Sequence, residues 1–119
     1  MGQLIRSQII GGAALTATGG SASVTIAGWK RATILVSNGI TTAAIFTLEG
    51  SPNGSDWFTI AYGQGASAAY TQAPLTVAAS TKALLFLPPS DGILWVRVNI
   101  STANANGTTF TMFAQDDNG

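Results

Sequence analysis

The chain has 119 residues, the usual length of one domain, and it contains neither cysteine nor histidine, which excludes disulfides, thiolate metal sites and the commonest general base of enzymes. Five basic and five acidic residues balance to a formal net charge of zero, so no basic patch can dominate a phosphate backbone, and we expect no nucleic-acid partner. Charged residues form only 8% of the sequence, against about 25% in an ordinary soluble domain, so the surface is either neutral and rich in hydroxyl groups or covered by partner subunits.

The N-terminal segment is the least regular part of the chain. It is apolar at several positions and is interrupted by Gly-Gly pairs, so it fits either a first strand or an arm that packs on a neighbour. We therefore predict an N-terminal arm or first strand over residues 1–20 and one β-sandwich domain over residues 21–119. The apolar positions of the segment are Leu4, Ile5, Ile9 and Ile10.

No targeting or membrane-spanning segment is visible in the sequence. The N-terminus has no apolar run of signal-peptide length. The longest apolar stretch, residues 83–89, is far shorter than the roughly 20 residues that span a bilayer. We therefore expect no signal peptide and no membrane partner.

Alternation of apolar and polar residues, which is typical of β-strands, organises the rest of the chain. The pattern is clearest over residues 93–100, where Leu94, Val96, Val98 and Ile100 form one apolar face. Each such run is predicted to be a strand with one face towards a core. The other alternating runs are residues 22–27, 31–37 and 108–113.

Turn signals separate these runs. Ser-Pro-Asn-Gly at 51–54 predicts a β-hairpin between residues 43–50 and 55–62, because proline presets φ and Asn-Gly tolerates positive φ. Pro-Pro-Ser-Asp-Gly at 88–92 and Asn-Ala-Asn-Gly at 104–107 predict two further turns. Together, the strands and turns predict an all-β chain that forms a single jelly-roll-like β-sandwich of about eight antiparallel strands.

Other segments lack this alternation. Residues 63–74 are small and uncharged, and we predict a surface loop there. The polar tail at residues 116–119 is predicted to fray. No stretch has the pattern of a helix of three turns.

The sequence provides no catalytic equipment. Without histidine, only a lysine or a carboxylate could activate a serine, and Lys30 and Lys82 have no suitable context for that role. Glu49 and Asp56 flank the 51–54 turn and could approach each other like a glycosidase pair, but a solvated pair at a hairpin mouth is the simpler interpretation. The acidic C-terminus is not preorganised for calcium. We predict a protein that is not an enzyme and has no catalytic residue, no cofactor and no metal site.

Tryptophan provides the best candidate for a binding surface. Trp95 and Arg97 are two residues apart, so they share a strand face and could present a stacking ring beside a donor fork. Together with Trp29 and Trp57, Trp95 could form a platform for a carbohydrate. The alternative is that these rings fill the core or a subunit interface, as tryptophans of small β domains usually do.

Several segments resemble small β-sandwich virion proteins of tailed bacteriophages. The sequence IFTLEGSPNGSDWFTI at 45–60 is similar to a hairpin of these proteins in which a strand ends in Gly-Ser, an Asn-Gly turn follows and a tryptophan opens the return strand. WVRVNI at 95–100 followed by NGTTFTM at 106–112 resembles their closing pair of strands, and SVTIAGWKRATILV at 23–36 resembles their opening pair. The resemblance covers most of residues 21–114.

This resemblance implies a structural role in a virion. Proteins of this kind commonly serve as capsid cement or decoration proteins, head fibres or minor tail components, often as trimers. It implies a protein made in the host cytoplasm and located in the virion, whose partners are the major capsid protein and further copies of itself, with a trimer favoured. The alternatives are a tail or fibre component and a carbohydrate-binding module. The residues that we predict at interfaces are Leu4, Ile5, Ile9, Ile10, Trp95 and Arg97.

Overall fold

The structure of the chain, a computed structural model, describes residues 4–25, 31–64, 69–87 and 93–116. These residues form twelve strands and no helix. All the strand pairs are antiparallel, which confirms the all-β prediction. The strands are β1 (Leu4–Ile9), β2 (Gly19–Gly20), β3 (Val24–Thr25), β4 (Arg31–Asn38), β5 (Ala44–Ser51), β6 (Phe58–Thr59), β7 (Tyr62–Gln64), β8 (Tyr70–Thr71), β9 (Leu75–Val77), β10 (Lys82–Phe86), β11 (Trp95–Thr102) and β12 (Thr108–Asp116).

The strands form two sheets whose pairing is nested. Sheet A has the order β1-β12-β4-β10-β7-β8, and sheet B has the order β2-β11-β5-β6, with β3 also on β11 and β9 also on β5. The first strand pairs with the last, β3 pairs with β11, β4 pairs with β10, and β5 pairs with β9. A ribbon of nested pairs wrapped into two sheets is a jelly roll, so the predicted sandwich is confirmed.

The strand count exceeds the predicted number of about eight because short strands share positions. β2 and β3 lie one after the other along the same side of β11, and β6 and β9 do the same along β5. β7 and β8 extend sheet A beyond β10, within the segment predicted to be a loop. The predicted turn at 88–92 and residues 117–119 of the predicted tail lie outside the described residues.

The core lies between the two sheets and follows the two-residue period of the strands. In β5 the burial alternates along the strand, and in β11 Val96, Val98 and Ile100 are buried while the residues between them are only half-buried. Phe46 of sheet B and Phe110 of sheet A meet edge to face, with 4.7 Å between ring centroids and an interplanar angle of 79°. This contact joins the two sheets in the arrangement that aromatic rings prefer.

The N-terminal segment is part of the sandwich. β1 pairs with β12 of the same chain from Leu4 opposite Asp116 to Ile9 opposite Thr111. Ile10 is fully buried in the core. Leu15 packs against that core and exchanges backbone hydrogen bonds with Thr108. Residues 4–20 therefore contribute two strands, β1 and β2, and core side chains.

A buried amide network closes one end of the sandwich. The Asn104 amide nitrogen is within 2.9–3.1 Å of the carbonyl oxygens of Gly39, Ile40 and Thr42 and 3.0 Å from Asn38 Oδ1. An amide has two N–H groups, so these acceptors share its donors. Asn38 Oδ1 also accepts a hydrogen bond of 2.8 Å from the Thr108 hydroxyl. The network therefore fixes the 39–43 loop through side-chain amide groups.

We expect Asn104→Ala to lower the free energy of unfolding by about 2–4 kcal/mol, because it leaves buried carbonyl oxygens without donors. Asn104 is 1% exposed. Asn106→Ala is the matched control, since Asn106 is exposed and uses its backbone N–H to reach Asn104 Oδ1 at 2.9 Å. Denaturant unfolding of both variants measures the difference. Equal stabilities would show that the network adds nothing to the fold.

Tyr62 of β7 is a second polar group held in the interior. Its side chain is 2% exposed, and its hydroxyl donates a hydrogen bond of 2.7 Å to the carbonyl of Ala73. Burial raises the pKa of the Tyr62 phenol above its ordinary value of 10.0. The folded state therefore holds this proton more tightly than the unfolded state does.

The raised pKa of Tyr62 predicts a stability loss in alkali. The contribution of the neutral phenol is complete below pH 10.0, the unfolded value, and is lost as the pH rises towards the pKa of the folded state. We expect Tyr62→Phe to be less stable than the parent by about 1 kcal/mol at neutral pH and to lose less stability in alkali. Urea unfolding at a series of pH values tests this. Parallel pH profiles for parent and variant would contradict it.

Candidate interaction surfaces

Glu49 and Asp56, which flank the 51–54 turn, have separate hydrogen-bond partners. Glu49 Oε1 accepts a hydrogen bond of 2.8 Å from Arg97 Nε, whereas Asp56 Oδ2 accepts one of 2.7 Å from the side chain of Asn53. Within residues 4–25, 31–64, 69–87 and 93–116, no group of three or more acidic, cysteine or histidine residues could hold a metal ion. The same part of the chain has no helix able to span a membrane.

The turn at 51–54 folds onto the outer face of sheet B. The Ser51 hydroxyl accepts hydrogen bonds from the backbone N–H groups of Asn53 and Gly54, at 3.2 and 2.8 Å. Asn53 Oδ1 in turn accepts from the N–H groups of Ser55 and Asp56, both at 2.9 Å. These bonds make the turn rigid.

The rigid turn covers Trp95. Gly54 has φ of +80°, and a Cβ atom on it would lie 3.7 Å from the Trp95 ring. Positive φ at this position favours glycine, as the Asn-Gly signal predicted. One side of the Trp95 ring is therefore packed against the chain's own backbone.

Arg97, two residues after Trp95 on β11, has its own neighbours on other segments of the chain. Its register partner on β5 is Glu49, and its guanidinium carbon lies 4.3 Å from the centroid of the Trp57 ring. A Cβ atom on Gly20 would come within 2.9 Å of that carbon, so the missing side chain at this position leaves room for the guanidinium. The Arg97 and Glu49 side chains are 26% and 13% exposed.

The tryptophan platform predicted from the sequence is thus largely occupied by the protein itself. Arg97 stacks on one face of Trp57, and Gly54 lies against Trp95. Trp29 lies outside the described residues. The sequence pointed to Trp95 and Arg97 but not to the contacts of Arg97 with Trp57 and Glu49, because those contacts depend on the register of β5 with β11 and with β6.

We expect Arg97→Met to destabilise the fold by about 1–2 kcal/mol, since it leaves the half-buried Glu49 carboxylate without its charged partner. Met keeps the apolar stem of the side chain. The double variant Arg97→Met/Glu49→Gln should recover part of the loss, because it removes the unpaired charge as well. Thermal unfolding of the two single variants and the double variant measures this coupling. Additive effects would mean that the ion pair does not contribute.

The outer face of sheet A exposes large apolar side chains. Exposed fractions are 43% for Ile9, 39% for Leu84, 36% for Phe86, 38% for Phe113 and 52% for Tyr70. These residues lie on β1, β10, β12 and β8, and we call this surface the sheet A face. Among the charged side chains that the structure describes, only Lys82 is at an outward-facing position of these strands. A face so poor in charge and rich in exposed rings is typical of an interaction surface.

The predicted N-terminal interface residues have different positions. Ile9 points outward and belongs to the sheet A face, whereas Ile10 is completely buried and offers nothing to a partner. Leu4 and Ile5 are described through their backbone pairing with β12. Sequence reasoning missed Leu84, although strands with apolar residues at both odd and even positions carried the signal for it.

The end of the sandwich closed by the amide network presents one more apolar side chain. Ile40 is 64% exposed, and the next residue, Thr41, has φ of +89°. A β-branched residue in this region is strained. The Asn104 side chain holds the carbonyls on both sides of that residue, which keeps the strained loop in place.

An open cleft lies beside β2 and has little to orient a ligand. Its volume is about 330 Å³, and its lining consists of residues 14–22 and Ile100. The lining side chains are small or aliphatic, with no charged or aromatic group among them. Ligand sites are usually lined mainly by hydrophobic and aromatic side chains, whereas only Leu15 and Ile100 provide large apolar side chains to this cleft.

The fold is similar to that of a protein encoded by a prophage. The chain superposes on the crystal structure of the SPBc2 prophage-derived protein YomS with a TM-score of 0.77, and the alignment covers 97% of this chain and 96% of that chain. The two sequences are 8% identical, so the likeness concerns the fold. No protein family and no curated protein matches the sequence. The chain therefore has the β-sandwich fold of a phage-derived protein.

Proposed function

We propose that this chain is a non-enzymatic structural protein of a tailed-phage virion, a cement or decoration protein that binds the major capsid protein. The observation that carries the proposal is the number of large apolar side chains that the described part of the chain exposes. Eight of them are at least 36% exposed. They are Ile9, Ile40, Phe58, Tyr70, Leu84, Phe86, Leu94 and Phe113.

Such a surface is suited to being covered. The exposed apolar patches of a free domain are normally small and surrounded by charged residues, because exposed apolar area favours association. The described charged side chains are few, and two of them, Glu49 and Arg97, neutralise each other. Faces of this kind can pack on a shell without the cost of desolvating charges.

Two further observations support a phage structural role. The jelly-roll topology presents the outer face of sheet A, six strands wide, and such a face can pack against a flat neighbour. The prophage origin of the similar structure supports a phage source for this chain as well. A tail or fibre component would have the same surface properties, so the location of the protein within the particle needs its own test.

Particles induced from the strain that carries the gene test the proposal. We expect mass spectrometry to find the chain in purified virions, and to find it with the heads after heads and tails are separated. Recovery with the tails would replace the capsid role by the tail role. Absence from virions, with the chain present in the lysate, would contradict a structural role altogether.

A second measurement tests the cement activity. Heads from a deletion mutant should release their DNA at a lower temperature than parental heads, and addition of the purified protein should restore the parental temperature. The Ile40→Ser variant changes one exposed apolar side chain on the rigid 39–43 loop, and the Asn106→Ala variant changes an exposed polar side chain. Comparing how well these two variants restore the parental temperature measures the contribution of Ile40 to binding of the heads.

A further inference from the structure

Large and small side chains alternate across the sheet A face. The backbone register places Phe86 of β10 beside Thr33 of β4, and Thr33 beside Phe113 of β12. The row continues from Phe113 to Ser7 on β1, and from Phe86 to Gly63 and Tyr70 at the other edge. Neighbouring strands lie about 4.8 Å apart, so the large residues of this row stand about 10 Å apart with a small residue between them.

An alternating row of six strands is complementary to itself. A two-fold axis that runs along the strands between β10 and β4 reverses the order of the strands in the second copy. Phe86 of one copy then faces Thr33 of the other, and Phe113 faces the position of Gly63, where the ring of Tyr70 leans within 3.3 Å of the place of a Cβ atom. Large side chains meet small ones at the centre, and rings meet rings further out.

The neighbouring rows are also compatible with this axis. Leu84 and Leu35 are cross-strand partners on β10 and β4, so the axis brings Leu84 of one copy against Leu35 of the other and forms a group of four leucines. Lys82 is opposite Ser37 in the same register, so the lysine of one copy meets a serine of the other and not a second lysine. The two lysines of a dimer therefore stand diagonally across the axis and do not directly oppose each other.

The area of the face sets the expected strength of such a contact. Five strand spacings of about 4.8 Å and a length of about six residues at about 3.4 Å give about 500 Å² per copy in projection. Two copies together cover about 1,000 Å², the lower limit for specific interfaces between proteins. The contact is thus large enough for a dimer that depends on protein concentration.

We propose that the sheet A face binds a second copy of this chain, forming a two-fold dimer whose axis runs along the strands between β10 and β4. Stacked sheets then pack about 10 Å apart with their strands nearly aligned, as the sheets of sandwiches do. A two-fold contact of this kind closes a dimer, whereas the trimer that the family resemblance implies needs a different, head-to-tail contact.

Sedimentation equilibrium of the purified full chain from micromolar to millimolar concentration tests the proposal without any particle. We expect a monomer–dimer equilibrium for the parent protein. Phe86→Lys should shift the sample to monomer over the whole range, because it places a charge at the centre of the contact. The matched control is Phe58→Lys, since Phe58 is 59% exposed on β6 of the other sheet and should leave the equilibrium unchanged.

A charge pair tests the position of the axis. Leu84→Lys and Leu35→Glu should each be monomeric when alone. An equimolar mixture of the two should form mixed dimers, because the introduced lysine of one copy would face the introduced glutamate of the other. Native mass spectrometry separates mixed dimers from homodimers. Circular dichroism and thermal unfolding of each variant check that it remains folded. If either leucine variant does not fold, Phe86→Lys still tests whether a charge on this face abolishes the dimer.

Several results would overturn the proposal. A parent protein that stays monomeric at millimolar concentration would show that the face does not bind a second copy, and binding of that monomer to deletion-mutant heads, weakened in Phe86→Lys, would assign the face to the capsid instead. A trimer, or a dimer unaffected by Phe86→Lys, would place the self-contact elsewhere. The sedimentation and native mass spectrometry measurements use no virion, so failure of the dimer proposal and failure of the virion proposal remain distinguishable.

Discussion

The alternation of side chains along paired strands is the constraint on which the whole molecule depends. A strand that places one residue in the core places the next one outside, so the register that closes the core also determines the outer faces. Leu85 opposite Ile34 in the core requires Leu84 beside Leu35 on the outer face. A slip of one residue would expose the core side chains, and the surface pattern is therefore as firmly specified as the interior.

Polar interactions stabilise the strand ends and turns, where the alternation of side chains stops. Where the strands end, backbone groups lose their partners, and buried carbonyls without donors are costly. Asn104 and Asn38 provide those donors at one end of the sandwich, and their side chains fix a loop that includes a strained Thr41. On the outer face of sheet B, the side-chain oxygens of Ser51 and Asn53 instead accept hydrogen bonds from backbone N–H groups of the hairpin turn. Rigid loops and flat faces thus arise from separate sets of contacts.

The sequence predicted those parts of the structure that local patterns determine. Alternation identified β11 and β12, and Asn-Gly identified the turn after Ser51, because both signals act within a few residues. It did not identify β7 and β8, which have only small residues between them and pair at the edge of a sheet that must already exist. The stacking of Arg97 on Trp57 was missed for the same reason: it needs the register between strands that are distant in sequence.

The positions of the described charged residues show how the scarcity of charge relates to the outer faces. Glu49 and Arg97 form an internal pair on sheet B, which removes both from the set that could keep the surface well solvated. Lys82 is at one end of the sheet A face, opposite a serine in the register. A random distribution of the few charged residues would place some of them on every face. Instead, the centre of the sheet A face has none among the side chains that the structure describes. Desolvation of a charge is the main cost that association can avoid, and this arrangement avoids it where rings and leucines are exposed.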